Sequence, residues 1–256
     1  MTGRGDGGRG TVLVVVDVQN DFCVGPLAES RYPGDPAVLR EVVANTARAV
    51  AAARARGVEV VFVRFLGDPA YQGPAWRRRD ARRGSRPKCL EGTWGAEFTE
   101  PLQPAEGERV FTKRACFDAF LAEGFGSHLA ARGAGHLVLA GVFTDVCVDS
   151  TARTAFQKGL HLTVLRDCTT ALHVPDEQIL RFMSRLYDAR VVAHEPVTGW
   201  ARHPERWAAQ EDEYEEDFED DEAEEEEAAW PAPQQRAHPS DPPTWPTTRR
   251  TADPRG

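Results

Sequence analysis

Leu137-Val138-Leu139-Ala140 is a short apolar run that ends at Gly141. After a five-residue turn Cys147 stands where a helical pattern begins, with Ser150, Thr151, Ala152, Ala155 and Phe156. This reads as a strand, a sharp turn and a thiol at a helix N-terminus. Unpaired backbone NH groups and the positive end of the helix dipole favour a thiolate there, and the same NH groups suit an oxyanion. The competing reading is a buried small hydrophobe, the usual state of a free cysteine. Partners elsewhere in the chain decide between the two.

The same alternation runs through most of the sequence. Thr11 to Val16 is apolar and stops at Asp17, as a parallel strand buried on both faces does. Asp35-Pro36 supplies the cap and first-turn proline of an alanine-rich helix, Ala37 to Arg56, closed by Gly57. Val58 to Phe65, Arg109 to Thr112, His136 to Ala140, His161 to Leu165 and Arg190 to Ala193 read as the remaining strands. Phe125 to Arg132, the segment from Cys147 to Gly159, and Pro175 to Tyr187 read as helices. The pattern predicts an α/β protein, a three-layer α/β/α domain with a mostly parallel six-stranded sheet. Leu66 to Gly107 breaks it, with Pro69, Pro74, Pro87, Pro101 and Pro104 and the basic cluster Arg77, Arg78, Arg79, Arg82, Arg83, Arg86 and Lys88. We read that stretch as a long irregular loop of the kind that builds a site or lid.

Charge divides the 256 residues unevenly: 14 of the 17 positions from 211 to 227 are acidic, leaving 26 of the 40 acids against 31 Lys and Arg elsewhere. The formal charge of -9 therefore belongs to the C-terminal part, and the body is basic. Residues 1–10 are glycine-rich and read as flexible, residues 11–204 as the folded domain, and 205–256 as a disordered acidic and proline-rich tail. No run approaches the roughly 18 apolar residues of a membrane span and no signal-peptide core is present, so a cytoplasmic protein without membrane partners is expected. The five cysteines show neither C-x-x-C pairing nor zinc-like spacing, which argues against disulfides and structural zinc. The basic cluster has no aromatic platform beyond Trp76 and no recognised nucleic-acid fold. No nucleic-acid partner is expected, and an acidic small-molecule substrate, or transient cover by the acidic run, suits it better.

In a parallel sheet, ligands sit outside the carboxyl ends of the strands. Asp17, Lys113 and Cys147 each follow their own apolar run, so the fold can bring a carboxylate, an ammonium and a thiol to one crevice. Asp17 then takes the thiol proton, Lys113 favours the thiolate and orients Asp17, and Cys147 attacks an electrophilic carbon. The oxyanion would lie against the NH groups of Cys147 and Phe143. Phe22, Trp94, Phe117 and Phe143 are candidates to wall the pocket. A papain-like arrangement would instead draw on His161 or His173.

Asp17-Val18-Gln19-Asn20-Asp21-Phe22, Lys113 and Gly141-Val142-Phe143-Thr144-Asp145-Val146-Cys147-Val148, with Ser150-Thr151-Ala152, resemble the isochorismatase-like cysteine hydrolases, over about Thr11 to Val197. That family includes nicotinamidases, N-carbamoylsarcosine amidohydrolase, biuret hydrolase and ureidoacrylate hydrolases. The resemblance implies that Asp17, Lys113 and Cys147 form a triad. It also implies that Val142-Phe143 is a cis peptide turning the Phe143 NH toward the oxyanion, and that the chain is a dimer or tetramer. Nicotinamidases look for a histidine-bearing metal site after the second strand. Here that region is Arg64-Phe65-Leu66-Gly67-Asp68-Pro69-Ala70-Tyr71 and the first histidine is His128, so neither metal nor other cofactor is expected. Isochorismatases of this fold cleave a vinyl ether and typically carry glycine at the position of Cys147. The expectation is a metal-independent amidohydrolase cleaving a C–N bond of a small amide or ureido compound through an acyl-enzyme. The alternatives are a vinyl ether hydrolase with an incidental cysteine, and a non-catalytic scaffold that binds through its tail. Gly92-Thr93-Trp94-Gly95-Ala96-Glu97 also resembles a segment of the ureido and amide hydrolases.

Overall fold

The computed structural model describes residues 10–201. The N-terminal segment and the tail expected after residue 204 lie outside them, as does the far boundary of the domain.

Six strands form one sheet in the order β3-β2-β1-β4-β5-β6, every neighbouring pair parallel. They are β1 (Thr11–Val16), β2 (Glu59–Phe65), β3 (Arg109–Lys113), β4 (His136–Gly141), β5 (His161–Leu165) and β6 (Arg190–Val192). The sheet is wholly parallel, beyond the mostly parallel one expected. Successive β1 side chains enter opposite cores, Leu13 and Val15 on one face and Val12, Val14 and Val16 on the other. That is why the strand is apolar without alternation.

On the first face lie α1 (Asn20–Cys23), α2 (Gly25–Arg31) and α3 (Pro36–Ala55), where α3 buries Leu39, Val42, Val43, Ala49, Val50 and Ala53. The Asp35 carboxylate caps α3 by accepting from the Ala37 NH at 2.8 Å. A fourth helix, α4 (Pro74–Arg83), follows β2. The second face holds α5 (Phe125–Ala131), α6 (Asp149–Gln157) and α7 (Asp176–Tyr187), which bury Phe125, Leu129, Ala152, Ala155, Met183 and Tyr187.

The basic cluster is therefore largely helical, not the irregular loop expected. Pro74 opens α4 behind Gly73, and Gly84 closes it in the left-handed conformation (φ 59°), signals that the density of charge masked. No helix among the described residues is long and apolar enough to cross a membrane.

Candidate active site

The carboxyl edge of the sheet gathers the three predicted side chains. β1 gives way to Asp17, whose NH donates to Val63 O at 2.9 Å while its backbone turns left-handed, φ 54°. That conformation costs a non-glycine residue of order 1 kcal/mol, and aspartate tolerates it better than most. Lys113 ends β3 opposite Phe65, so β2 lies between it and β1. Two inter-strand spacings come to about 10 Å, which a lysine's four-carbon arm and an aspartate side chain span together. Lys113 Nζ lies 2.7 Å from Asp17 Oδ2 and also donates to Phe117 O.

Cys147 is reached through the glycine, cis peptide and turn expected, but stands in a π-helical turn and not in the first turn of an α-helix. After β4, Gly141 (φ 118°) lies so close to β1 that a Cβ there would stand 2.0 Å from Val16 O, so only glycine fits. The Val142-Phe143 peptide bond is cis, and Cys147 sits inside a π-helical turn, Thr144–Val148, that runs directly into α6. This turn is tied to the segment beyond β5. Asp145 accepts from the NH groups of Leu172, His173 and Val174 at 2.7 to 3.2 Å, and the Thr144 hydroxyl bonds Thr169 Oγ1 at 2.8 Å. Asp176 accepts from Thr144 Oγ1, Thr170 Oγ1 and the Ala171 NH.

The thiol of Cys147 lies close enough to the carboxylate of Asp17 for each to shift the other's titration. Neither carboxylate oxygen has a hydrogen-bond partner among the described residues, and Lys113 meets Asp17 as an ion pair. Burial raises Asp17 above the ordinary carboxylate range against the pull of Lys113. Burial also opposes the charge on Lys113, but Asp17 and Cys147 outweigh it and raise the amine. The thiol of Cys147 is pushed well above its usual value by burial, with Lys113 lowering it and Asp17 raising it. Sequence reasoning from the helix terminus favours a thiolate. Burial at 7% exposure beside a carboxylate works the other way and raises the thiol.

Phe22 packs edge-on to Phe143, ring centroids 6.2 Å apart, and Phe117 meets Trp76 at 5.4 Å. Trp94 is 56% exposed with its indole over Gly25, and only its carbonyl reaches inward, accepting from Asn20 Nδ2 at 2.8 Å. His161 begins β5 opposite His136 at the amino end of β4, the far edge from Cys147, and His173 is exposed. This geometry supplies no Cys-His pair from either residue.

Gln19, which sequence reasoning passed over, is fully buried. It donates to Phe65 O and Ala96 O at 2.9 Å each and accepts from the Phe65 NH at 2.7 Å, fastening the ends of β1 and β2 to the loop beyond α4. Asp167, Cys168 and His194 bring ligand atoms within 4.8 Å of one another. The Asp167 carboxylate is already engaged by the NH and Nδ1 of His194, at 2.9 and 2.6 Å, so the group works as a latch between β5 and β6.

Fold and site together define a parallel-sheet protein that buries an acid, an amine and a thiol side by side at its carboxyl edge. Residues 11–195 match the isochorismatase domain family. The chain belongs to this isochorismatase-like hydrolase family. Ureidoacrylate amidohydrolase RutB of Methylobacterium radiotolerans is 35% identical over 172 residues, 62% of this chain and 66% of that protein, so the chain spans just under two-thirds of that relative's length. Among solved structures, N-carbamoylsarcosine amidase from Thermoplasma acidophilum matches with a TM-score of 0.60 at 25% identity, covering 72% of this chain and 96% of that one. An isochorismatase family protein from Desulfovibrio vulgaris matches with a TM-score of 0.63 at 26% identity, covering 75% and 98%.

Proposed function

We propose that the chain is an amidohydrolase that cleaves a non-peptide C–N bond of a small amide or ureido compound, with Cys147 as nucleophile, Asp17 as base and Lys113 as the fixed positive charge. The observation that carries this is the juxtaposition of the three: an ammonium 2.7 Å from a buried carboxylate whose titration is coupled to the thiol. At rest the cluster holds Lys113 as ammonium, Asp17 as carboxylate and Cys147 as thiol, with no net charge. When sulfur attacks the carbonyl, its proton passes to Asp17 and the negative charge moves to the substrate oxygen. No charge has to be carried into or out of the buried cluster at the moment of reaction. Asp17, made more basic by burial, then protonates the departing nitrogen, and ammonia or an amine leaves a thioester on Cys147. Water activated by Asp17 releases the acid and restores the thiol.

The NH groups of Phe143 and Cys147 are the proposed oxyanion donors. Those around them are taken: Val142 donates to Val16 O, Thr144 to Thr170 O, and Val146 and Val148 to Phe143 O.

Screening ureas, carbamoyl compounds and primary amides for ammonia release tests this, with acid-quenched samples examined for an acyl adduct on Cys147. Cys147→Ala is expected to lower turnover at least about 10³-fold and to abolish the adduct. Turnover unaffected by this substitution would overturn the covalent mechanism.

A further inference from the structure

Most Lys and Arg side chains in the described part of the molecule either pair with an acid or stand exposed to solvent. Arg54 pairs with Glu108 at 2.8 Å, Arg132 with Glu59 at 2.7 Å, and Arg79 with Asp80 at 2.8 Å while stacking 3.7 Å from the Trp76 ring centre. Lys88 is different. It is half-buried, and no carboxylate among the described residues stands within ion-pair distance of it; Asp80 reaches it only through space. Its ammonium lies 5.8 Å from the ring centres of both Phe22 and Trp76, a frame of aromatic faces. Phe22 is the ring packed on Phe143, just before the turn that carries Cys147, and Trp76 packs on Phe117, whose carbonyl holds Lys113. The charge on Lys88 is felt at Asp17, Cys116 and Cys147.

The backbone under Lys88 is fixed. The Cys89 NH donates to Asp21 Oδ2 at 2.6 Å, Cys89 O accepts from the Gly67 NH at 3.0 Å, and a Cβ on Gly67 would collide with Lys88 O at 2.2 Å. A long side chain on a pinned backbone, with its stem among rings and its charge unmatched, is prepared for an anion that comes from outside. The proposed catalytic cluster carries no net charge, so an unmatched ammonium near it suits a negative charge on the substrate.

We infer that Lys88 is a specificity-determining residue: its ammonium, framed by Phe22 and Trp76, binds a carboxylate of the substrate while the scissile carbonyl lies at Cys147. This rests on the amidohydrolase reading and narrows it to small carboxylic acids that bear an amide or ureido group. Burial and the nearby Arg31 depress the basicity of Lys88, so a bound anion also stabilises the charged amine.

The test uses the full chain with 3-ureidopropionate and its uncharged counterpart isopentylurea. The wild type should favour the acid in kcat/KM, and Lys88→Met should collapse the acid-to-neutral ratio by about 30- to 100-fold, the scale of a lost charge-assisted hydrogen bond, with partial recovery in Lys88→Arg. Calorimetry on Cys147→Ala, which needs no turnover, should show 3-ureidopropionate binding more tightly than isopentylurea, with the preference lost in the Cys147→Ala/Lys88→Met double variant. Thermal melts establish that each variant is folded. A ratio that survives Lys88→Met, or a Cys147→Ala protein that binds the acid no better than isopentylurea, overturns the assignment. Binding of the expected selectivity without ammonia release would overturn the hydrolytic reading and leave the subsite standing.

Discussion

Two ion pairs of nearly equal length do different work. Lys113 and Asp17 meet at 2.7 Å with side chains 0% and 1% exposed, whereas Arg54 and Glu108 meet at 2.8 Å with 37% and 15% exposed. The outer pair has the better geometry, two parallel hydrogen bonds from one guanidinium to one carboxylate. Water nevertheless competes for both partners, and such a pair adds at most about 1 kcal/mol. The inner pair gives up hydration it cannot regain, so each partner is indispensable to the other while the two together add little stability. What the inner pair provides is a fixed positive charge beside a basic carboxylate, a poor way to stabilise a fold and a good way to move a proton.

The sharpest way to break this contrast is Lys113→Met, which strands a buried carboxylate and should cost about 3–5 kcal/mol of unfolding free energy in urea titrations. Asp17→Leu/Lys113→Met should recover most of that loss while remaining inactive. Full stability in the single variant would show the interior to be far wetter than its burial implies. Next in size is the response of Cys147 to iodoacetamide. Its raised pKa means that thiolate grows only as pH climbs toward that value, so the alkylation rate should increase about tenfold per pH unit through neutrality and reach no plateau below pH 9. A plateau below pH 7 would reveal a preformed thiolate and refute the resting state described above.

The smallest effect belongs to Glu108→Gln, expected to cost no more than about 1 kcal/mol and to matter less as salt is added. Burial pushes Glu108 up, but the Arg54 hydrogen bonds and the Ala105 NH bring it net below the ordinary carboxylate value. Its contribution is therefore present above the unfolded pKa and fades as pH falls through the folded one. A cost insensitive to salt would mean that this pair is shielded like the inner one.

β1, β4 and the long α3 were legible because burial on both faces writes itself as apolar runs and because Asp35, Pro36 and Gly57 mark helix ends by local chemistry, whereas the more exposed edge strands β3 and β6 were read from short β-branched stretches. The convergence of Asp17, Lys113 and Cys147 was legible from position after the strands and from family resemblance together. α4 was not, since its arginines leave no apolar face and Pro74 was read as a breaker instead of a first-turn residue. The short α1 and α2 lie between longer elements and carry no full period of pattern. The protonation of Cys147 and the setting of Lys88 were also hidden. Both depend on which rings and charges close around a side chain from distant segments, and spacing along the chain records none of that.

Gln19 ties two strand ends and a distant loop together through one carboxamide. Remodelling that loop to accept new molecules therefore has a built-in side effect. Lengthening or shortening it next to Ala96 pulls on the residue two places from the proposed general base, so a library aimed at selectivity would also sample turnover. Diversity placed at Arg77, Arg78, Arg82 and Arg83, exposed on α4, escapes that coupling and is the better place for a designer to begin.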